Sequence, residues 1–359
     1  MNRVAFVAAG VFAAGTVAFV LWPRADLSYG VKALENDATL YCSVDQDHSL
    51  AIVEAFQKTS GIRVDFKGET EAARSVGMTQ KLFLERENPA ADVFWGNEIM
   101  NTVYLRDVGI FAPLPKGVGD EFPAAWRDPK GTYVAFAARA RILLVNTRLL
   151  PDPQDWPTSV DDLVDEKWGG AGRRAAIAAP LTGTTYTHAV VLLTRDAEAG
   201  KKFWTAVADR QKTGALKVVP GNGAVMQQVK DEANGVAFGL TDTDDARAAI
   251  DEKAPVAIVY PDQGAGRPGT VVIPNTVAIV KGAPHAGAGE RLLRFLASKE
   301  NEKNLAAGPS AQIPLRDEVQ APEYVKRPGK DFRAADVDWQ RVGADKERWL
   351  GFLQSLFQR

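Results

Sequence analysis

The densest group of oxygen donors in the sequence lies in residues 239–246, Gly-Leu-Thr-Asp-Thr-Asp-Asp-Ala. This segment directly follows the apolar run 236–238, which predicts a buried strand. In an open α/β sheet, ligands bind beyond the carboxyl ends of the strands. Capping of a helix that begins near Asp245 is the alternative, but a cap requires only one of these side chains. We therefore predict that the ligand is contacted by Thr241, Asp242, Thr243 and Asp244.

A second candidate site is the turn that contains Thr182, Gly183 and Thr184. It lies between the apolar segment 175–178, which predicts a strand, and a predicted helix. Free backbone N–H groups at the start of a helix can bind phosphate, carboxylate or carbonate. Ordinary helix capping explains the same residue types equally well. Asn222, in a Pro-Gly-Asn-Gly sequence, is interpreted first as a turn residue and only second as a ligand contact.

Two arginines, Arg139 and Arg141, interrupt an otherwise apolar segment that predicts a strand. Because they are two residues apart, they point to the same face of that strand. An arginine in a cleft binds an anion through two parallel hydrogen bonds. A surface salt bridge is the alternative interpretation for either residue.

Polar residues also follow three other predicted strands. Ser43 and Asp45 follow the first, Glu71 follows the second, and Asn97 follows the third. The carboxylates of Glu71 and Asp242 are predicted metal ligands, because carboxylate oxygens suit hard cations. Hydrogen bonds to an ammonium or hydroxyl group of an organic solute are equally compatible with these side chains.

The hydrophobic pattern predicts strands and helices in alternation. The first half begins with a strand at 39–43, a helix at 49–59, a strand at 62–66, a helix at 72–86 and a strand at 92–95. Further predicted strands lie at 133–136, 141–146, 217–219, 256–260 and 271–273, and further helices at 288–299 and 346–357. This alternation is typical of an α/β fold with parallel, doubly wound strands.

The overall composition argues against several classes of function. The chain has 359 residues, which is long enough for two domains with separate cores. A net charge of -2 gives no electrostatic reason to expect nucleic-acid binding. The three histidines have no zinc-like spacing, and no Gly-x-Ser-x-Gly motif marks a nucleophile. We therefore predict no catalytic residue and no required cofactor, and expect a metal ion or an anion only as a bound ligand.

The N-terminal segment is unusually apolar, since residues 4–22 contain no charge and follow Arg3. A segment of this length can span a hydrocarbon core, whereas the apolar part of a signal peptide is usually shorter. Residues 1–23 are compatible with a signal peptide or a membrane anchor, followed by a polar linker at 24–36. We predict a periplasmic or other extracytoplasmic protein, either released or anchored to the inner membrane. The single cysteine, Cys42, permits no intrachain disulfide.

A set of short segments occurs in an order that characterises one protein family. They are Leu-Tyr-Cys-Ser-Val-Asp at 40–45, Glu-Thr-Glu-Ala at 69–72, Glu-Asn-Pro-Ala-Ala-Asp-Val-Phe-Trp at 87–95, Asn-Glu at 97–98, Ala-Arg-Ile-Leu-Leu-Val-Asn-Thr at 140–147, Pro-Leu-Thr-Gly-Thr at 180–184, the Thr-Asp cluster, Gly-Thr-Val-Val-Ile-Pro-Asn-Thr at 269–276 and Gln-Ile-Pro-Leu at 312–315. In these segments the chain resembles periplasmic substrate-binding proteins of ABC importers, specifically the family that contains the ferric-iron-binding proteins.

The resemblance implies two α/β lobes, joined by crossing strands, that close around a solute in the cleft between them. Lobe one would comprise residues 37–137 plus 272–315, and lobe two residues 138–271 plus 316–359. The implied partners are a membrane permease and its cytoplasmic ATPase, and we expect the receptor itself to be a monomer. The chain has no phosphate-binding loop of an ATPase and no further transmembrane run.

One position departs from the family pattern. Ferric-binding members typically carry two adjacent tyrosines where this chain has Thr241 and Asp242, and phenolates stabilise ferric iron strongly. We therefore predict a noncatalytic receptor for either a metal ion, such as iron, with a synergistic anion, or a small charged organic solute. Two alternatives use the same fold: a membrane-tethered ligand sensor and, with less support, a metal-dependent hydrolase.

Overall fold

The computed structural model describes residues 37–69, 76–170 and 173–358, which form one sheet of nine strands flanked by helices. In chain order the strands are β1 (Asp37–Cys42), β2 (Arg63–Gly68), β3 (Val93–Gly96), β4 (Tyr133–Asn146), β5 (Arg174–Ala178), β6 (Leu216–Val219), β7 (Val236–Asp242), β8 (Val256–Val259) and β9 (Val272–Ile279). Across the sheet the order is β2-β1-β3-β9-β4-β7-β5-β6, and β8 pairs with β4.

The helices of the described residues connect and cover these strands. They are α1 (Gln46–Ser60), α2 (Val76–Leu84), α3 (Ile99–Asp107), α4 (Gly183–Arg195), α5 (Ala197–Lys212), α6 (Asn222–Lys230), α7 (Thr243–Asp251), α8 (Ala286–Leu296), α9 (Lys299–Ala307) and α10 (Trp339–Phe357). A helix lies between consecutive parallel strands because such strands need a crossover connection.

Two groups of parallel strands lie on either side of an antiparallel centre. Strand β1 pairs in parallel with β2 and β3, and β5 pairs in parallel with β6 and β7. Strands β9 and β4 lie between the two groups and pair antiparallel with their neighbours. The predicted α/β class is confirmed, although the sheet is mixed and not wholly parallel.

Strand β4 joins the two halves of the sheet. Its first part pairs with β9, and its second part pairs with β7 and β8. All of its residues are buried, as expected for a central strand that is covered on both faces. One strand thus replaces the two strands predicted at 133–136 and 141–146. The apparent interruption in the sequence is a register shift between Phe136 and Ala138.

Some element boundaries also differ from the sequence predictions. The single helix predicted at 288–299 is two helices, α8 and α9, because Ser298 caps a new helix. Helix α10 begins at Trp339, well before the predicted start at 346. Strand β7 continues beyond the predicted 236–238 as far as Asp242, since its last residues are buried and paired with β4.

Several predictions concern residues outside the described ranges. These are the signal peptide or anchor at 1–23, the linker at 24–36 and the metal ligand Glu71. Among the residues that the structure does describe, no helix is both long and apolar enough to cross a membrane.

Helix α6 packs so closely on β7 that Gly239 has no room for a side chain. A Cβ atom there would lie 2.4 Å from Cγ1 of Val225 and 3.1 Å from the carbonyl oxygen of Ala176. We expect Gly239→Ala to lower the free energy of unfolding by about 1–3 kcal/mol, the usual effect of overpacking. Urea unfolding followed by tryptophan fluorescence measures this change. Gly287→Ala is the control, because a Cβ atom there meets nothing within 4 Å; an equal loss in both variants would contradict the packing argument.

Candidate functional site

A cavity of about 190 Å³ lies where β1, β3, β5, β6 and β7 end. The structure brings most of the predicted ligand contacts together in its wall: Asp45, Asn97, Arg139, Thr182, Gly183, Thr184, Asp242 and Asp244. They converge because the parallel strands of both groups direct their carboxyl ends to this region, which is where α/β sheets bind ligands.

Three other predicted contacts lie behind the cavity wall. Ser43 accepts a hydrogen bond from the N–H of Asn97 at 3.2 Å, Thr243 accepts one from the N–H of Ala140 at 3.2 Å, and Thr241 donates to a carboxylate oxygen of Asp245 at 2.7 Å. These side chains therefore hold the surrounding backbone in place and do not face the cavity. The last predicted contact in the described residues, Arg141, lies beneath the cavity floor.

Several cavity residues were missed by the sequence predictions. Asn222 is the first residue of α6 and lines the cavity together with Gly221 and Gly223. Thr185 and Asp245 also line it. The position of Asn222 after the predicted strand at 217–219 indicated a place at the sheet edge, but the Pro-Gly-Asn-Gly sequence favoured a simple turn.

Arg141 is fully buried and connects the elements that surround the cavity. Its Nη1 lies 2.7 Å from Oδ1 of Asp242 and 3.1 Å from both Thr184 Oγ1 and Asn222 Oδ1. Its Nη2 donates to Thr185 Oγ1 at 3.0 Å. The guanidinium thus holds the starts of α4 and α6 against the end of β7. Because these groups are buried, loss of any of these hydrogen bonds would leave a polar group without a partner in a medium of low dielectric constant.

Asp242 receives further hydrogen bonds from the same residues. Its Oδ2 accepts from Thr184 Oγ1 at 2.6 Å and from Asn222 Nδ2 at 2.9 Å. The carboxylate is therefore neutralised by Arg141 and occupied by hydrogen bonds. Its main role in this arrangement is to orient Thr184 and Asn222.

Two helices point uncapped N-termini at the cavity. Helix α4 has Thr182 at its N-cap and α6 has Gly221, and neither residue caps its helix through a side chain. The N–H groups of a first helical turn have no partner within the helix. Each N-terminus also carries a partial positive charge. Together they offer several donors to an anionic group.

Arg139 and Asp244 form a second, looser charged contact in the cavity wall. The Arg139 Nη1 lies 3.5 Å from Oδ2 of Asp244, and Nη2 donates a hydrogen bond to the carbonyl oxygen of Asn97. Arg139 thereby links the end of β3 to the start of α7. Because 3.5 Å is longer than a charge-assisted hydrogen bond, the Asp244 carboxylate is less fully engaged than that of Asp242.

Burial changes the acid–base properties of this cluster. Burial raises the pKa of the Asp244 carboxyl, and the Arg139 guanidinium opposes that increase. Burial also raises the pKa of Asp245 well above its ordinary range, and the carboxylates of Asp244 and Asp242 contribute to the increase. Burial alone would lower the pKa of Arg139, but the same carboxylates outweigh it and raise that pKa. Burial and the neighbouring carboxylates therefore favour the protonated form of Asp245.

Two groups of side chains in the described residues have the spacing of metal ligands. One group is Asp45, His48 and Asp244, and the other is Asp242, Asp244 and Asp245; in each, the donor atoms lie within 4.8 Å of one another. Carboxylate and imidazole donors of this kind suit divalent and other hard cations. Asp244 belongs to both groups.

Comparison with known proteins places the fold and the cavity in context. A family model described as "Bacterial extracellular solute-binding protein" matches residues 51–333. The major ferric iron-binding protein of Neisseria meningitidis serogroup B is 25% identical over 291 residues, which are 79% of this chain and 82% of that protein. A Salmonella typhi periplasmic protein named for 2-aminoethylphosphonate binding is 25% identical over 312 residues, covering 84% and 82% of the two chains. The crystal structure of iron-bound HitA from Pseudomonas aeruginosa has a TM-score of 0.77 and 22% identity, covering 89% of this chain and 99% of its own.

The sheet topology matches the two-lobed fold of periplasmic binding proteins. The chain belongs to the family of bacterial extracellular solute-binding proteins, whose model matches most of its length. The resemblance drawn from the sequence is thereby confirmed, as is the prediction of a solute-binding protein for transport. The relatives found are binding and uptake proteins, including several named for iron.

Removal of Arg141 tests its role beneath the cavity. Arg141→Met leaves the buried carboxylate of Asp242 without its counter-charge, and breaking such a pair typically costs about 3–5 kcal/mol of folding free energy. We expect a loss of this size in the free energy of unfolding, measured by urea denaturation without ligand. Arg148→Met is the matched control, since the Arg148 side chain is 64% exposed and pairs with Glu232 at the surface. A similar small effect of both substitutions would show that the buried network does not stabilise the fold.

Asp245 should make the ligand-free protein less stable as the pH rises. The folded state keeps the Asp245 proton at pH values at which an unfolded chain, with a carboxyl pKa of about 3.9, has released it. The folded state then binds more protons, so this carboxyl destabilises the fold increasingly as the pH rises toward its raised pKa. We expect the stability of Asp245→Asn, relative to the original protein, to increase with pH over this interval.

Denaturant unfolding at several pH values between about 4 and 8 provides the measurement. Asp209→Asn is the control, because the Asp209 side chain is 61% exposed and lies outside the cavity. A stability difference that does not vary with pH would mean that Asp245 ionises normally in the folded protein.

Proposed function

We propose that the chain is a noncatalytic receptor of an ABC importer that captures a small zwitterion bearing a phosphonate or phosphate group. The receptor would deliver this solute to a membrane permease and its ATPase. One observation carries the proposal: a single cavity combines two uncapped helix N-termini with a cluster of buried carboxylates. Helix N-termini suit an anionic group, and carboxylates suit a cationic group.

Helices α4 and α6 provide the proposed anion subsite. The residues of their first turns line the cavity wall. The side-chain donors of Thr185 and Asn222 are engaged within the protein, so the donors offered to a ligand are the first-turn N–H groups. Tetrahedral phosphoryl oxygens can accept several such hydrogen bonds at once. Arg139 adds a positive charge to the same wall.

The carboxylates of the cavity require that the ligand also carry positive charge. Asp45 and Asp244 line the cavity with one arginine, Arg139, while Asp242 is paired with Arg141 and Asp245 favours its protonated form. A ligand with a positive group therefore matches the charge of the cavity better than a simple anion does. Asp244 is the best candidate partner for an ammonium group. Its Oδ1 accepts a single backbone hydrogen bond, from Asp245 at 3.1 Å, and its Oδ2 has only a long contact of 3.5 Å with Arg139.

The two subsites are adjacent, which limits the separation of the charges in the ligand. Asp242 accepts a hydrogen bond from Thr184 at the start of α4, and it lies within 4.8 Å of an oxygen of Asp244. A ligand with two or three bonds between its charged groups fits this separation. The relative named for 2-aminoethylphosphonate binding, at 25% identity, is in keeping with such a ligand.

We further propose that the lobes are residues 37–137 plus 272–315 and residues 138–271 plus 316–359, closing about their crossing strands. Ala137 supports this division, because it is a buried non-glycine residue with φ of 39° at the register shift in β4. Glu98, at the start of α3, accepts a hydrogen bond from Thr187 of α4 at 2.8 Å and so connects the two proposed lobes. Small movements at Ala137 would open or close the cavity.

The remaining sequence predictions stay part of the proposal. The receptor would be a monomer with no resident cofactor, and would act in the periplasm, either released or anchored to the inner membrane by residues 1–23. The family description supports a location outside the cytoplasm.

A metal ion with a synergistic anion is the second candidate ligand. Asp45, His48 and Asp244 have suitable spacing, and several relatives are named for iron. In this case the anion would occupy the same helix N-termini. Among the described residues that line the cavity there is no tyrosine, so a ferric ion would lack phenolate ligands here.

Isothermal titration calorimetry with a matched ligand pair tests the proposal. We expect 2-aminoethylphosphonate to bind at least tenfold more tightly than ethylphosphonate, because only the former presents an ammonium group to Asp244 (a tenfold ratio corresponds to about 1.4 kcal/mol). Asp244→Asn should remove this difference by weakening only 2-aminoethylphosphonate. Absence of binding by both phosphonates would contradict the proposed ligand class.

A second variant separates the zwitterion from the metal. His48→Ala should leave 2-aminoethylphosphonate binding unchanged, since His48 does not line the cavity. Binding of iron from ferric citrate, measured by elemental analysis of the isolated protein, should be negligible in the original protein and in His48→Ala. Stoichiometric iron that is lost on His48→Ala would favour the metal ligand instead.

A further inference from the structure

A second cavity, of about 490 Å³, adjoins the first. It lies between α2, α3, α4 and α10, and Thr182 lines both cavities. Thr182 is the N-cap residue of α4, so the second cavity begins beside the proposed anion subsite. Its volume is larger than that of the first cavity, which holds the charged groups.

Helix α10 forms one wall of this second cavity, although it lies outside the segment that matches the family model, residues 51–333. It packs tightly on α3, because a Cβ atom at Gly343 would lie 2.3 Å from Cγ1 of Val103. It is also fixed to α4, since the Tyr186 hydroxyl donates to the carbonyl oxygen of Lys346 at 2.9 Å. The wall is therefore firmly held on both sides.

Five of the twelve residues that line this cavity have aromatic or aliphatic side chains, and apolar atoms supply most of its exposed surface. Phe83, Tyr104, Leu181 and Leu350 each remain only partly buried where they line the cavity. Pockets for organic molecules typically combine such apolar walls with a few placed polar groups. The apolar surface therefore suits a carbon skeleton better than a hydrated ion.

The positively charged group in this wall is the buried ammonium of Lys346, and the other polar side chains are threonines, glutamines and Glu347. Its Nζ lies 4.2 Å above the ring of Tyr104 and 3.1 Å from Oε1 of Glu347. The Glu347 side chain is 58% exposed, so it is free to move while the lysine side chain, at 8%, is not. The ammonium is thus held at the wall, where an oxygen acceptor of a ligand can reach it.

We infer that the second cavity holds the organic body of the solute whose anionic head binds at the start of α4. The ligand class is then an aminophosphonate or phosphate ester with an apolar or aromatic extension, which is larger than a bare ion or 2-aminoethylphosphonate itself. This inference rests on the proposed function, because Thr182 is the point at which head and body would meet.

A matched ligand pair with the same head group tests the inference. The probes are 2-aminoethylphosphonate and 2-amino-5-phenylpentylphosphonate, which adds a phenylpropyl group on the carbon that bears the amine. We expect the phenyl derivative to bind the original protein at least tenfold more tightly in calorimetry. Leu350→Trp places a bulkier ring in the wall of the second cavity and should diminish this advantage while changing 2-aminoethylphosphonate binding less than twofold.

Ser355→Trp is the matched control, since Ser355 is an exposed residue of α10 that does not line the cavity. It should alter the binding of neither probe. Equal affinity of the two probes for the original protein, or an advantage that Leu350→Trp does not diminish, would overturn the inference while leaving the proposed function intact. Failure of both probes to bind would overturn both.

Discussion

The buried ion pair between Arg141 and Asp242 is the interaction on which the binding site depends. The two residues face each other across the β4–β7 ladder, so the sheet itself brings the charges together. A buried guanidinium is unfavourable unless its charge is paired and its donors are bonded. Thr184, Thr185 and Asn222 accept hydrogen bonds from its two Nη groups, while its Nε has no partner among the described residues. The same hydrogen bonds fix the starts of α4 and α6 beside the cavity. The Arg141–Asp242 pair and its hydrogen bonds therefore stabilise the fold and also set the shape of the site.

The topology explains why this pair lies at a cavity and not in a uniform core. Strand β4 leaves the β9 side of the sheet and enters the β7 side, with the unusual backbone at Ala137 between the two parts. Parallel strands from both sides end near this crossing, and each is followed by a helix whose N-terminus is directed toward it. Helix α10 then bridges α3 and α4 behind the site. The result is that the charged first cavity adjoins the more apolar second cavity.

Much of the fold and part of the site follow from local sequence patterns. The alternation of strands and helices, the sheet-edge position of 239–246 and the helix start at Thr182 all depend on short segments, and the structure brings the last two together at one cavity. Other features depend on contacts between distant residues and leave no local pattern. The different roles of Arg139 and Arg141, two residues apart on one face, are set by which carboxylate each meets. The local sequence predicts only a turn at Asn222, because its hydrogen-bond partners Thr184 and Asp242 lie 38 residues and 20 residues away in sequence.

The proposed binding mode places the anionic group of the ligand at the helix N-termini and its cationic group at the carboxylates of the same cavity. A crystal structure of the protein with 2-aminoethylphosphonate would show both contacts. We expect phosphonate oxygens within hydrogen-bonding distance of the N–H groups of Gly183, Thr184 and Thr185, with the ammonium group at Asp244. A phosphonate bound elsewhere, or a metal ion coordinated by Asp242, Asp244 and Asp245 in its place, would contradict this binding mode.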